Sequence, residues 1–101
     1  MTPIEFRVIV TDEAFANLDS ILAYIALRSP QNSARLIDFL LASIEDLRYF
    51  PHRYAVARRG SRQAGEEIRT MAVPPYLVDY LVNSSSKTVH VIAITHGARN
   101  R

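Results

Sequence analysis

The apolar and polar positions of this chain fall into two rhythms. Residues 4–10, IEFRVIV, put Ile4, Phe6, Val8 and Val10 on one parity and Glu5, Arg7 and Ile9 on the other. That period-two pattern predicts an edge strand with one wet face. From Thr11 and Asp12, whose side-chain oxygens can accept from free helix amides, the rhythm turns helical. Phe15, Leu18, Ile21, Leu22 and Ile25 recur at three- and four-residue spacing and predict a helix over about 12–28. Ser29-Pro30 opens a second helix, because serine caps free amides and proline at the first helical position loses no hydrogen bond. Its stripe is Ala34, Ile37, Leu40, Leu41, Ile44 and Leu47, and Pro51 ends it. Two helices joined almost without a linker therefore form a hairpin.

After Pro51 the period returns to two. A short strand is expected at Tyr54–Arg58, then a polar loop, RRGSRQAGEE, then strands at Ile68–Val73, Tyr76–Val82 and Thr88–Thr95, separated by Pro74-Pro75 and by NSSSK. Strand, helix, helix and a three-stranded antiparallel meander make one α+β domain over residues 1–101, with the helices on one sheet face. A turn centred on Pro74-Pro75 sets Arg69 opposite Tyr80, Met71 opposite Val78 and Val73 opposite Tyr76. Pairing Val82 with Val89 sets Tyr80 opposite Val91 and Val78 opposite Ala93. One face then carries Arg69, Met71, Tyr76, Val78, Tyr80, Val82, Val91 and Ala93. The other carries Ile68, Ala72, Leu77, Leu81, Ile92 and Ile94, with Asp79 the outlier, and a one-residue slip would exchange the two sets. Both faces are apolar, and two helices can cover only one. Assigning the bulky leucine and isoleucine face to the helices leaves the face with Arg69, Tyr76 and Tyr80 open, as a binding surface for another molecule.

At 101 residues the chain is one domain able to bury roughly two-thirds of its unfolded surface. Hydrophobic residues at 49% and charged residues at 22% exclude disorder. The absence of cysteine excludes disulfides, thiolate ligands and a thiol nucleophile. The longest apolar run, ILAYIAL, is far short of the roughly 18 residues of a membrane span, and no secretion signal opens the chain, so a cytoplasmic protein is expected. Charge is uneven. Six arginines between Arg48 and Arg69 stand against Glu66 and Glu67, while the rest of the chain is net negative. Lys87 is the only lysine, and arginine suits bidentate contact with carboxylate or phosphate. The basic stretch is either a solvated loop or a contact for an acidic partner.

Candidate chemistry is sparse. His90 and His96 lie six residues apart in one strand, on one face but separated by roughly 20 Å at 3.3 Å per residue, and cannot share a metal ion. His52 has no carboxylate pair in register, so no metal and no cofactor are expected. Gly60 and Gly65 lie in a polar hairpin instead of opening a helix, which argues against nucleotide hydrolysis. Metal-free RNA cleavage needs a base, phosphate-binding cations and an acid. His96, Arg69, Arg99, Tyr76 and Tyr80 supply the types, yet one lysine and few charges on the open face match a nuclease poorly. His96 reads first as a strand-end hydrogen-bonding cap, ahead of a catalytic role. Arg69 either stacks on Tyr80 or offers its guanidinium to a partner carboxylate. Gly97 is expected where a side chain would obstruct the turn out of the last strand.

The ordered set of SP opening the second helix, LRYFP closing it, IRT before a VDY strand and ITHGAR at the end resembles the ParE branch of the RelE/ParE toxin superfamily, over nearly the whole chain. Ser29-Pro30, Pro51, Arg69, Tyr80, His96, Gly97 and Arg99 match that pattern. Arg53-Tyr54 stands where members often have a glycine, and Leu81 where they often have a basic residue. The resemblance implies a toxin of a type II toxin–antitoxin system, of the plasmid-stabilisation kind, silenced by a cognate antitoxin and inhibiting DNA gyrase by binding. One alternative is a RelE-like ribosome-dependent mRNA endoribonuclease, with His96, Arg69, Arg99 and Tyr80 catalytic and direct contact with nucleic acid. Another is a non-toxic homologue kept as an antitoxin partner. In the binding reading Arg53, Arg58, Arg59, Arg62, Arg69, Tyr76, Tyr80, His96 and Arg99 contact the antitoxin or target, and the antitoxin arm is acidic and apolar.

Overall fold

A computed structural model describes residues 4–57 and 65–97. Arg58, Arg59, Arg62 and Arg99 lie outside the described residues, so the expectations placed on them are carried by sequence alone. The elements are β1 (Arg7–Val10), α1 (Asp12–Arg28), α2 (Pro30–Glu45) continued by a short 3-10 turn at Asp46–Arg48, β2 (Glu66–Val73), β3 (Tyr76–Asn83) and β4 (Thr88–His96). Thr11 caps α1, its hydroxyl accepting from the Ala14 amide at 3.3 Å, and Pro30 opens α2 after Ser29. Within the described part of the expected strand at Tyr54–Arg58, residues 54–57, the pairing is a single bridge, Val56 to Arg69. Two backbone bonds hold it against β2, Ala57 N–H to the Ile68 carbonyl and Thr70 N–H to the Ala55 carbonyl.

The sheet order is β1-β4-β3-β2, with β1 parallel to β4 at one edge and the meander antiparallel. Around the Pro74–Pro75 turn, which contains a cis peptide bond, the register is the expected one: Arg69 pairs with Tyr80, Met71 with Val78, Val73 with Tyr76. Between β3 and β4 it holds from Val82–Val89 to Tyr80–Val91 and then shifts. Asp79 pairs with Ala93, so Ile92 is an extra residue and Val78 meets Ile94, not Ala93. This bulge corrects two expectations. Ile94 joins the face of Val78 and Tyr80, and His90 and His96 lie on opposite faces, because an extra residue inverts the alternation beyond it.

The covered face is also the reverse of the expected one. Ala14, Leu18, Leu40, Ile44 and Leu47 from the helices pack into one core with Met71, Val73, Tyr76, Val78, Tyr80, Val82, Val89, Val91 and Ile94. Side-chain bulk does not choose the face; β1 does. A single residue, Thr11, separates β1 from α1, and both its amide and its hydroxyl donate to the Val91 carbonyl. Val8 and Val10 register with Val89 and Val91, and Phe6 is buried on the same parity, so the helix that follows β1 folds onto that side. Leu77, Leu81, Ile9 and Ile92 on the opposite side stay only partly buried, and Ala72 is exposed. Ile68 is buried there, outside the helix-side core.

Candidate functional site

Three regions bring together the residues singled out by sequence. The first is a clamp at the β2 edge. Arg69 is held by Glu67, with Nε to Oε1 at 2.8 Å and the Nη2 ion pair at 2.6 Å. Its Nη1 donates to the carbonyls of His52, at 3.1 Å, and of Tyr54. The side chain is only 15% exposed. Arg69 thus ties the loop after α2 to the sheet, with its donors directed inward. Tyr80 is fully buried, and its hydroxyl donates to the Pro51 carbonyl at 2.6 Å. Burial pushes this phenol well above its ordinary value, with the nearby Arg69 guanidinium opposing part of the rise. The expectation that Arg69 and Tyr80 lie on an open face is therefore corrected, because they sit beneath the loop that follows α2. Arg53 remains exposed, its guanidinium 5.7 Å from the centre of the Tyr54 ring.

The second region is a hollow of about 410 Å³ between α1 and the far end of β4, lined by Asn17, Ser20, Ile21, Tyr24, Tyr76, Ile94, Thr95 and His96. It exists because β1 stops at Val10, opposite Val91, leaving the rest of the outer edge of β4 without a strand. Asn17 takes over part of that role, its Oδ1 accepting from the Ile94 amide at 2.9 Å. Tyr76, buried, meets the His96 ring edge-on at 5.6 Å. Arg28 lies 4.6 Å above the Tyr24 ring. Asn17, Ser20 and Tyr24 escaped the sequence reading, which looked only at the apolar stripe. The signal was their spacing of three and four residues beside that stripe, but nothing in sequence shows that β4 ends against it.

Gly97 follows this rim, its amide donating to the Pro75 carbonyl at 2.9 Å. A Cβ added there would lie 3.4 Å from that oxygen and 3.7 Å from Leu77 Cγ, ordinary contact distances. The expected steric need for glycine is not present. Gly97→Ala is expected to change stability by less than about 0.5 kcal/mol, measured by urea denaturation.

The third region is the open sheet face. Leu77, Leu81, Ile92 and Ala93 surround Asp79, which accepts from the Thr70 hydroxyl at 2.8 Å. The outlier acid is thereby satisfied within the sheet. Among the described residues no group of three or more histidine, aspartate or glutamate side chains is placed to hold a metal ion. None of the described helices is long and apolar enough to cross a membrane.

Three solved structures share this arrangement. A protein of a chromosomal ParDE toxin–antitoxin system from P. aeruginosa superposes with a TM-score of 0.71 at 18% identity, covering 91% of this chain and 96% of that one. A chain of the archaeal RelE–RelB complex from Pyrococcus horikoshii gives 0.68 at 17% identity, covering 94% and 98%. A chain of the RelBE2 toxin–antitoxin complex from Mycobacterium tuberculosis gives 0.58 at 20%, covering 94% of each. The fold is thus the one these three chains share. In sequence the chain is 31% identical over 93 residues to Toxin RelE2 of Caulobacter vibrioides, spanning 92% of this chain and 97% of that protein. Residues 8–101 match the model of the ParE toxins of type II toxin–antitoxin systems, and the chain belongs to that family.

Proposed function

We propose that this chain is the toxin of a type II pair, silenced by a cognate antitoxin, and that it acts by binding DNA gyrase, without catalysis of its own. The observation that carries the choice of binding over cutting is the state of the residues a nuclease would use. Arg69 spends its donors on Glu67 and two backbone carbonyls, and Tyr80 is sealed under Pro51. His96 lies roughly 16 Å from Arg69, two strands and four positions away at ~4.8 Å and ~3.3 Å per step. A catalytic group has to reach the proton or phosphate it serves, and these three surround no common point. Gyrase as target is supported by membership of the ParE family.

The apolar face left open on the sheet supports a protein partner, since Leu77, Leu81 and Ile92 would gain from cover. The test is a supercoiling assay with purified gyrase and the purified chain. Loss of supercoiling is expected, with translation extracts unaffected. Intact supercoiling together with ribosome-dependent transcript cuts would transfer the assignment to the endoribonuclease reading, and unaffected growth on expression would mark a non-toxic homologue.

The arginine tail gives a second test. β4 runs through His96, and the Gly97 amide closes onto Pro75, so a stop placed after Gly97, not after Thr95, spares the sheet. Removing residues 98–101 is expected to abolish growth arrest or antitoxin binding and to leave the far-ultraviolet circular dichroism unchanged. A truncated chain that arrests growth and binds like the full chain rules the tail out as a contact.

A further inference from the structure

We infer that the hollow between α1 and the end of β4 is a seat for one apolar side chain of the antitoxin, oriented by a carboxylate neighbour that pairs with Arg28. The inference rests on the toxin–antitoxin reading and names a place for the partner within it.

Glu13, Asn17, Ser20, Tyr24 and Arg28 succeed one another at three- and four-residue intervals, so they form one ridge along α1. Glu13 and Arg28 stand about 22 Å apart at its two ends, from the 1.5 Å helical rise. Between them the ridge borders the hollow, whose lining includes the apolar Ile21 and Ile94 and the polar or amphipathic Asn17, Ser20, Tyr24 and His96. A cavity of about 410 Å³ with a few polar groups around apolar walls suits a leucine-sized or aromatic side chain with its backbone. Beyond Tyr24, Leu27 stands 88% exposed beside Arg28.

The charges fix the direction of the occupant. A negative group at one end of the ridge and a positive group at the other favour a segment with its acidic residue toward Arg28 and any basic residue toward Glu13. Arg28 is already positioned, its guanidinium lying over Tyr24, and its planar fork suits a carboxylate. A second copy of this chain packed antiparallel would also set Glu13 against Arg28 at both ends, so the experiment has to separate self-association from antitoxin binding.

The experiment uses the full chain and the protein encoded by the reading frame beside its gene. Ser20→Arg fills the mouth of the hollow from an exposed helical position where arginine is a good helix former. Arg28→Glu reverses the charge at the end, and Phe39→Arg, on the exposed flank of α2, is the control. Calorimetric titration should show Ser20→Arg and Arg28→Glu weakening the complex by about tenfold or more, and Phe39→Arg by less than about twofold. Unchanged melting temperatures establish that the variants are folded. If the wild-type chain binds and Ser20→Arg binds as well, the inference is overturned and the antitoxin reading stands. If the wild-type chain does not bind, both fall. Concentration-dependent dimerisation of the free chain that Ser20→Arg abolishes would give the hollow to a second copy and overturn the inference as well.

Discussion

Replacing Tyr80 by alanine is expected to cost roughly 3–5 kcal/mol, a large share of the ~5–15 kcal/mol that stabilises a domain of this size. The ring is fully buried among Met71, Val78, Val82 and Val91, so the loss combines transfer and cavity terms. Tyr80→Phe isolates the hydroxyl. It keeps the packing and leaves the Pro51 carbonyl without its donor, for about 1–2 kcal/mol. Urea denaturation of the two variants checks both figures.

The pH dependence has a definite sign. Burial holds the folded phenol above the ordinary value near 10, while the unfolded chain ionises there. The contribution is therefore fully present below about pH 10 and is lost as pH rises through the folded value, at up to ~1.4 kcal/mol per pH unit. Tyr80→Phe should lack this part of the alkaline loss. A Tyr80→Phe chain as stable as the wild type but unable to arrest growth would show that the phenol acts on the target, contrary to its place in the core.

Arg69→Met should cost about 2–3 kcal/mol. Breaking a buried ion pair costs more, but Glu67 is partly exposed and can regain water. The change also releases the carbonyls of His52 and Tyr54, so hydrogen exchange at the Ala57 and Thr70 amides should accelerate beyond the global loss. Adding Glu67→Gln should cost little more, because the two residues share one interaction, and the cycle should report coupling of about 1 kcal/mol. The alternative, Arg69 as a carboxylate-binding contact, predicts the reverse: a stable Arg69→Met chain that fails only in binding its antitoxin.

Arg69 shows how a residue that fits a family pattern can owe its place to the fold, and Gly97 shows that another fits the pattern without a steric reason. Gly97 has space for a methyl group, so its role is not steric. Sequence leaves Arg69 either stacking on Tyr80 or waiting for a partner carboxylate, and the chain itself supplies a carboxylate two residues away and a carbonyl seventeen residues away. The carbonyls of His52 and Tyr54 carry no signature in sequence, since every residue has one.

Periodicity and punctuation in the chain were enough for the helix at 12–28, the start at Ser29-Pro30, the three meander strands and the Pro74-Pro75 register, because each depends on neighbours within a turn or a hairpin. Three features depended on contacts between distant segments. The bulge at Ile92 appears only when β3 and β4 are laid together, and one extra residue then moved Ile94 to the core and parted His90 from His96. The choice of the helix-covered face came from β1 joining β4 across some eighty residues, with Thr11 bonded to Val91. The hollow beside His96 arose because β1 ends early and α1 takes up the remaining edge. Local pattern records which positions are apolar; which side of a two-sided apolar sheet meets the helices is settled by how the ends of the chain pair.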